Sequence, residues 1–368
     1  MGIREDRLKA DWEETKEALE CSGGNMAAAA RKLGLAASTV KSRIASHPPI
    51  DPYPIVPGKS VNYKGNGAIN SVWATGKNMG RVTPEQIISG ITDALLDYKP
   101  PAPLKTALKG NVSLLGLLPL ADLHMGMRAW NRETKGIDWD TTIATKKYRR
   151  GIDSLVSRMP RCKKTVVLVA GDLCHADNYH QSTTNPDSHH IVDVDGRYPK
   201  IFRASTDIVL FSVDRALETA DEVEVVCLPG NHDAATMAGV SYCLEMRHLN
   251  NKRVTVTNSD CPHWFSEWGI NMLACTHGDK LKMKTMGAYM ADQGSEIWGR
   301  TKARYGFLGH LHSKTVQSGP GVQLEILPTP CAPDSYASSH GFSAMRMFQV
   351  MVYDKKTGLR DTITELLL

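Results

Sequence analysis

The sequence predicts an α/β protein with a small all-α unit at its N-terminal end. Three observations carry that reading. Five apolar runs between residues 114 and 310 have the length and β-branched character of buried strands. Amphipathic stretches at helical spacing, 139–159 and 200–220, lie between them, as in alternating α/β folds. The first 47 residues instead break into three short helical segments separated by Gly and Asn.

Taken in order, Trp12 to Cys21, Met26 to Leu33 and Ala37 to Ala45 read as the three helices, with Gly34 as the turn before the last. Leu33, Leu35, Val40 and Ile44 are placed to fill a tiny core, and Arg31, Lys32, Lys41 and Arg43 make this half basic. Residues 48–110 read as a linker: Pro48, Pro49, Pro52, Pro54 and Pro57 favour an extended chain, a Gly- and Asn-rich stretch follows without a period, and Thr83-Pro84-Glu85 starts one helix. Residues 111–368 hold the strand pattern and form the larger domain.

Every one of the five runs ends on a polar cluster. LLGLLPLADLH ends at Asp122 and His124, TVVLVAGD at Asp172, and VEVVCLPGNHD at Asn231, His232 and Asp233. NMLACTHGD carries His277, and YGFLGHLH ends at His310 and His312. Ligands in open α/β sheets gather where strands end. Burying so many polar groups without a cation would be very costly, so the clusters read as a metal site for two ions. Asp122 and His124, two apart, can grip one ion; Asp172, after Gly171, can bridge two. Asn231 offers a neutral oxygen, and His232 next to Asp233 has the look of an imidazole oriented by a carboxylate. Mixed His, Asp and Asn donors suit Mn, Fe or Zn better than Mg or Ca, and Mn²⁺ is the expected metal.

Composition sets the outer bounds. With 368 residues, 42% of them hydrophobic and 23% charged, the chain can bury a sizeable core and is not disordered. A formal charge of +5 is a mild basic bias. Eight Cys without a CxxC pair fit a reducing compartment better than a disulfide scaffold. The charged N-terminus lacks an apolar signal core and no run reaches membrane-spanning length. The expectation is a cytoplasmic protein without a membrane partner; a homo-oligomer is left open.

The ordered set DLH, GDLCHAD, GNHD, HGD and GHLH resembles the calcineurin-like metallophosphoesterase superfamily over about residues 112–360. That resemblance implies a four-layer αββα sandwich with a dinuclear site at one edge. It implies one metal on Asp122, His124, Asp172 and His312, and a second on Asp172, Asn231, His277 and His310. His232 would protonate the leaving oxygen with Asp233 in support, after in-line attack on phosphorus by a metal-bound hydroxide.

Ser/Thr protein phosphatases of the superfamily continue as GDxxDRG, whereas this chain reads Gly171-Asp172-Leu173-Cys174-His175-Ala176-Asp177 with no Arg. GDLCH is similar instead to the GDLFH sequence of SbcD-type DNA-repair nucleases, which implies that His175 meets the scissile phosphate. The segments HGDKLKMKTMGAYMADQGSEIWGRTKARYGFLGHLHSK and PTPCAPDSYASSHGF resemble phosphoesterases of bacteriophages and prophages, hence the cytoplasm of a bacterium or a phage-infected host. GGNMAAAARKLGLAASTVKSRI resembles the helix-turn-helix of Fis-type regulators, with Ser38, Thr39, Lys41, Ser42 and Arg43 as candidate DNA contacts. The combined expectation is a DNA nuclease delivered by that unit. The alternative is a DNA-binding regulatory or phage-assembly protein with a secondary nucleotide or RNA phosphodiesterase activity.

Overall fold

The computed structural model describes residues 2–22, 25–45, 59–63, 69–74, 111–184, 190–257 and 261–367. The chain divides into two compact units, Met1–Thr83 and Pro84–Leu368.

The first unit holds α1 (Gly2–Cys21), α2 (Met26–Leu33) and α3 (Ala37–Ala45). The first helix starts ten residues earlier than its apolar pattern suggests. Asn25 caps α2, its side chain accepting from the N–H groups of Ala27 and Ala28 at 3.0 and 3.1 Å. Gly34 closes it in the left-handed region at φ 62°, and its N–H and that of Leu35 return to carbonyls of the last turn. Val40 is buried with Ala18, Ala29 and Ala30, while Leu33 and Leu35 are half-buried; the side chain of Ile44 lies outside the described residues. The stretch without a period contains a hairpin of β1 (Lys59–Tyr63) and β2 (Ile69–Ala74), paired antiparallel from Lys59 with Ala74. Two strands this short carry too few residues for a period to stand out. The helix expected from Thr83 lies outside the described residues.

The second unit has two sheets. The first is ordered β13-β12-β3-β4-β5-β6, and the second β10-β11-β9-β8-β7. In the first, β3 (Asn111–Leu120), β4 (Cys162–Ala170), β5 (Ala220–Leu228) and β6 (Val254–Thr257) run parallel, β12 (Met347–Asp354) is antiparallel to β3, and β13 (Gly358–Leu366) is antiparallel to β12 at the edge. In the second, β8 (Asn271–Thr276), β9 (Ala303–Leu308) and β11 (Val322–Ile326) are parallel, flanked by antiparallel β7 (His263–Trp268) and β10 (Thr315–Gly319).

The layers follow from strand parity, because successive side chains on a strand face opposite ways. Leu118, Leu120, Val167, Val169, Val225 and Val350 pack beneath three helices, α4 (Thr141–Arg158), α5 (Tyr198–Thr219) and α6 (Ala234–His248). Their neighbours Leu117, Val166, Leu168, Val226 and Met351 face Leu273, Cys275 and Phe307 of the other sheet. On the far side, Met272, Ala274 and Leu324 meet Met286 and Met290 of α7 (Met283–Gln293), with Ile297 and Trp298 of α8 (Ser295–Arg300) against them. The order is helix, sheet, sheet, helix: a four-layer αββα sandwich. Both faces of the central strands are covered, which is why they read as continuous apolar runs. Among the described residues, no helix is long and apolar enough to cross a membrane.

Candidate metal centre

The C-terminal ends of β3, β4 and β5 from one sheet, and of β8 and β9 from the other, carry Asp122, Asp172, Asn231, His277 and His310. Parallel neighbours end on the same edge of a sheet, so strand direction alone gathers these positions. Three groups of side chains stand close enough to hold ions. They are Asp122, His124 and His312; Asp172, His277 and His310; and His124, His175 and His232.

In the first group the Nε2 atoms of His124 and His312 face each other at 3.0 Å, and His312 Nε2 lies 3.6 Å from Asp122 Oδ1. In the second, His277 Nε2 is 3.1 Å from both Asp172 Oδ2 and Asn231 Oδ1. Asp172 Oδ2 also stands 3.9 Å from His124 Nε2, so a single oxygen lies between the two groups. Donors bound to one cation at about 2.1 Å sit about 3 Å apart, and the pairs His124–His312 and His277–Asp172 stand at 3.0 and 3.1 Å.

Backbone conformation marks the same residues. Among the described residues seven non-glycine positions are left-handed, and five of them are Asp122, His124, Asp172, His310 and His312. Each costs about 1–2 kcal/mol for an L-residue. Together they are comparable with a domain's entire net stability of about 5–15 kcal/mol, so the surrounding contacts must enforce them.

Neighbouring loops do enforce them. The N–H groups of Asp122 and His124 donate to the carbonyls of Gly171 and Asp172 at 3.2 and 2.9 Å. The His310 N–H donates to the Asp122 carboxylate at 2.9 Å, and Gly309 N–H to the His277 carbonyl at 2.8 Å. Thr329 Oγ1 donates to the Asp122 carbonyl at 2.8 Å.

Glycines let the loops approach. A Cβ on Gly230 would lie 2.0 Å from Asp172 Oδ1, and one on Gly171, already at φ 89°, would lie 2.4 Å from His277 Nδ1.

The electrostatics of the ion-free protein follow from burial and close opposite charges. Burial alone would lift the Asp172 carboxyl, but His277, His232 and His124 outweigh it and hold the group well below its usual range. His277 mirrors this: burial opposes its charge, yet Asp172 and Asp122 raise it to about 10. Asp122 is raised, chiefly by burial. His124 and His175 are driven well below the ordinary histidine value by burial and then by His232, and His310 falls to about 4 through burial and then His277. The lowered imidazoles of His124, His175 and His310 beside buried carboxylates make a ligand set suited to divalent cations.

His232 and Asp233 part company in the structure. His232 Nδ1 lies 2.8 Å from the His175 carbonyl, and its N–H donates to Asp172 Oδ1 at 2.8 Å. The two oxygens of Asp233 accept instead from the N–H groups of Gly230 and Cys174 at 2.9 and 3.1 Å. The carboxylate next in sequence therefore ties the GNHD turn to the GDLCH loop and does not orient the His232 ring. Burial, and then the charge of Asp172, raises Asp233 to about 7. His175 is buried, with Nδ1 at 3.1 Å from His124 Nδ1 and, among the described residues, no hydrogen-bond partner for Nε2.

Asp177 escaped the sequence reading. It is buried and accepts from the N–H groups of Ala235 and Thr236 at 3.1 and 2.7 Å, capping α6 from another loop. Its place five residues after Asp172 in GDLCHAD was the only available signal. Thr329 had none. Lys282 folds back onto the carbonyls of Gly278 and Asp279.

Of the candidate DNA contacts, Ser38, Thr39, Lys41 and Ser42 are exposed on α3. Arg43 is half-buried. It donates to the Asp11 carbonyl and to Thr15 Oγ1 at 3.1 and 3.0 Å, an inward packing role in the three-helix unit.

The family model for calcineurin-like phosphoesterases matches residues 117–349. The chain belongs to that family. The activity that goes with the family and with these His and Asp groups is metal-dependent phosphoester hydrolysis. No curated protein matches the chain. Among solved structures, it is similar to a conserved uncharacterized protein of Streptococcus pneumoniae described as a predicted phosphoesterase, with 11% identity, 70% of this chain and 99% of that chain covered, and a TM-score of 0.30. It is similar to Vps29 complexed with zinc from Entamoeba histolytica at 10% identity, with 69% and 99% covered and a TM-score of 0.28. It is also similar to phosphopantetheinyl hydrolase from Mycobacterium tuberculosis at 13% identity, with 60% and 90% covered and a TM-score of 0.28.

Proposed function

We propose that this calcineurin-like domain is a phosphodiesterase that uses two divalent cations, Mn²⁺ first among them, and that its substrate is DNA brought to it by the N-terminal helices. The observation that carries the phosphodiester reading is the GDLCH loop. At the position of the phosphoprotein phosphatases' Arg this loop has Ala176, and one residue earlier it places His175, buried, with its Nε2 unpartnered among the described residues and its carbonyl against His232.

Asp122, His124 and His312 would hold one cation and His277, His310 and Asn231 the other, with Asp172 shared. When bound, such a pair lowers the pKa of water and neutralises developing charge on phosphoryl oxygens. The remaining work belongs to the chain. The His175 carbonyl holds one proton of His232 on Nδ1, so in the imidazolium form it is the second proton, on Nε2, that passes to the departing oxygen and leaves a neutral ring. His175 Nε2 contacts a phosphoryl oxygen. Ser38, Thr39, Lys41 and Ser42 meet DNA from α3, without Arg43. The helix-turn-helix likeness and the basic residues of this unit support that step, as does the phage-type likeness of the 277–314 segment.

One panel tests the whole reading: labelled DNA, labelled RNA and bis-p-nitrophenyl phosphate, each with Mn²⁺, and His232→Ala as control. DNA cleavage that falls about a hundredfold or more in the variant is the expected result, in line with the loss of a general acid. Hydrolysis of the small diester without cleavage of either nucleic acid would sink the nuclease assignment. Cleavage of RNA alone would favour the nucleotide or RNA alternative.

A further inference from the structure

The segment between β11 and β12 leaves and returns at one point beside the metal centre. Leu327 N–H donates to the Leu308 carbonyl, Thr329 Oγ1 to the Asp122 carbonyl, and Met347 N–H comes back to the Thr329 carbonyl. The excursion in between carries α9 (Ser335–Ser339) and three aromatic rings. Tyr336 and His340 have ring centroids 4.2 Å apart with planes at 37°, and His340 and Phe342 are 5.7 Å apart at 21°. Gly341, left-handed at φ 73°, turns the chain so that the Phe342 N–H reaches the Ala337 carbonyl and its ring joins the group.

These rings are not a core. Tyr336 is 63% exposed and Phe342 60%, His340 is exposed, and Met345 beside them is 71% exposed. Isolated exposed apolar residues are ordinary, but a contiguous aromatic group, here on a loop whose base holds Asp122 through Thr329, marks a ligand surface. Charge points to the kind of ligand. Ser335 Oγ lies 3.5 Å from Asp193 Oδ2, and the carbonyl of that Asp193 accepts from the N–H of Arg128, whose side chain is exposed. Arg128 is in turn four residues beyond His124, on a turn closed by Met127 N–H to the His124 carbonyl. The two loops meet at Asp193, which presents its carboxylate to Ser335 and its carbonyl to the backbone of Arg128; an exposed Arg and an open aromatic stack on adjoining loops match an unpaired nucleotide, phosphate to the Arg and base to the rings.

We infer that Tyr336, His340 and Phe342 form a stacking platform for an unpaired base of single-stranded nucleic acid entering the metal centre. The assignment rests on the phosphodiesterase reading above for its substrate class. It makes strand state, and not base identity, the basis of selection, since every base has a face to stack.

The test uses the full chain without metal, so that binding is read apart from cleavage. The probe is a short single-stranded oligodeoxynucleotide carrying one 2-aminopurine, whose fluorescence is quenched on stacking. The wild-type protein should quench the probe and bind it. The double variant Tyr336→Leu, Phe342→Leu keeps apolar contact within the loop but removes the ring faces, and it should lose the quench and bind about tenfold or more weakly at an unchanged melting temperature. Phe342→Trp should restore or strengthen the quench. Equal quenching and affinity in the Leu variant overturn the platform while leaving DNA cleavage by the wild type to stand. Loss of the quench alongside no cleavage of DNA by the manganese-loaded wild type upholds the platform and removes the nuclease assignment. Equal binding together with a self-association that the Leu substitutions abolish would give the face to a second copy of the chain and overturn the proposal.

Discussion

Gly230→Ala is the sharpest perturbation of the metal centre, because it adds one methyl group and no charge. The ideal Cβ would stand 2.0 Å from Asp172 Oδ1 and 2.4 Å from the Asp172 backbone nitrogen, while ordinary contact begins at 3.4 Å. Relief at the oxygen therefore needs a shift of 1.4 Å, from 2.0 to 3.4 Å. Rotating the carboxylate does not solve the problem, since the backbone nitrogen is also too near. Asp172 is the carboxylate shared between the two ligand groups, and metal–ligand distances tolerate only about 0.2 Å. Displacements of about 1 Å cost on the order of a hundredfold in rate, equivalent to about 2.7 kcal/mol. We expect Gly230→Ala to weaken Mn²⁺ binding and to lower kcat/KM for bis-p-nitrophenyl phosphate by about that factor. The control is Gly299→Ala on α8, where a Cβ meets nothing within 4 Å and helix propensity gains about 1 kcal/mol. Manganese titrations of activity, with melting curves for both variants, read the two effects apart. A Gly230→Ala protein within threefold of wild type in metal affinity and rate would refute the argument that Asp172 is held by this close approach.

Further outcomes concern His277, Asp177 and the three-helix unit. His277, raised to about 10 in the ion-free protein by Asp172 and Asp122, is protonated at neutral pH and must release that proton to become a ligand. Calorimetry in buffers of different ionisation enthalpy should find proton release on Mn²⁺ binding and tighter binding as pH rises. In the ion-free protein the same group stabilises the fold fully below about 6.5, and that stability fades as pH climbs toward 10, so a melting temperature insensitive to pH in this window would count against it. Asp177→Ala removes the cap of α6 and leaves the buried N–H of Thr236 and the part-buried N–H of Ala235 without their acceptor; a loss of about 1–3 kcal/mol by urea unfolding is expected, with Asp177→Asn recovering part of it. In the first unit, Lys41→Ala should weaken DNA binding and reduce its salt slope by about 1 without changing thermal stability, whereas Arg43→Ala should destabilise the three-helix unit.

What could be read in the sequence was what depends on near neighbours. Runs such as TVVLVAGD announce a strand covered on both faces, and the ligand-type residue at its end announces an edge. Asn25 and Gly34 mark the ends of α2 because capping is local chemistry. Contacts made across the chain left no such mark. Nothing around Asp233 says that its acceptors serve Gly230 and Cys174, and nothing around Thr329 says that it holds Asp122 from 207 positions away. The adjacency of His232 and Asp233 suggested a partnership that the turn geometry prevents. The division of strands between two sheets is equally non-local: β9 and β11 are parallel neighbours although β10 lies between them in sequence.

The loops that carry the ligands are joined hand to hand by backbone N–H groups: those of Asp122 and His124 donate to the Gly171 and Asp172 carbonyls, that of His232 to the Asp172 carboxylate, that of His310 to the Asp122 carboxylate and that of Gly309 to the His277 carbonyl. No one of them can swing away without breaking hydrogen bonds that belong to the next. The rim of the sandwich therefore opens as a single block or stays shut, and cations that prefer the closed arrangement would draw all five strand ends into one exchange event. Amide exchange at Asp122, His124, His232, Gly309 and His310 would then slow together on metal loading, by a common factor, and a proton clock on any one of these residues would report the occupancy of the whole centre.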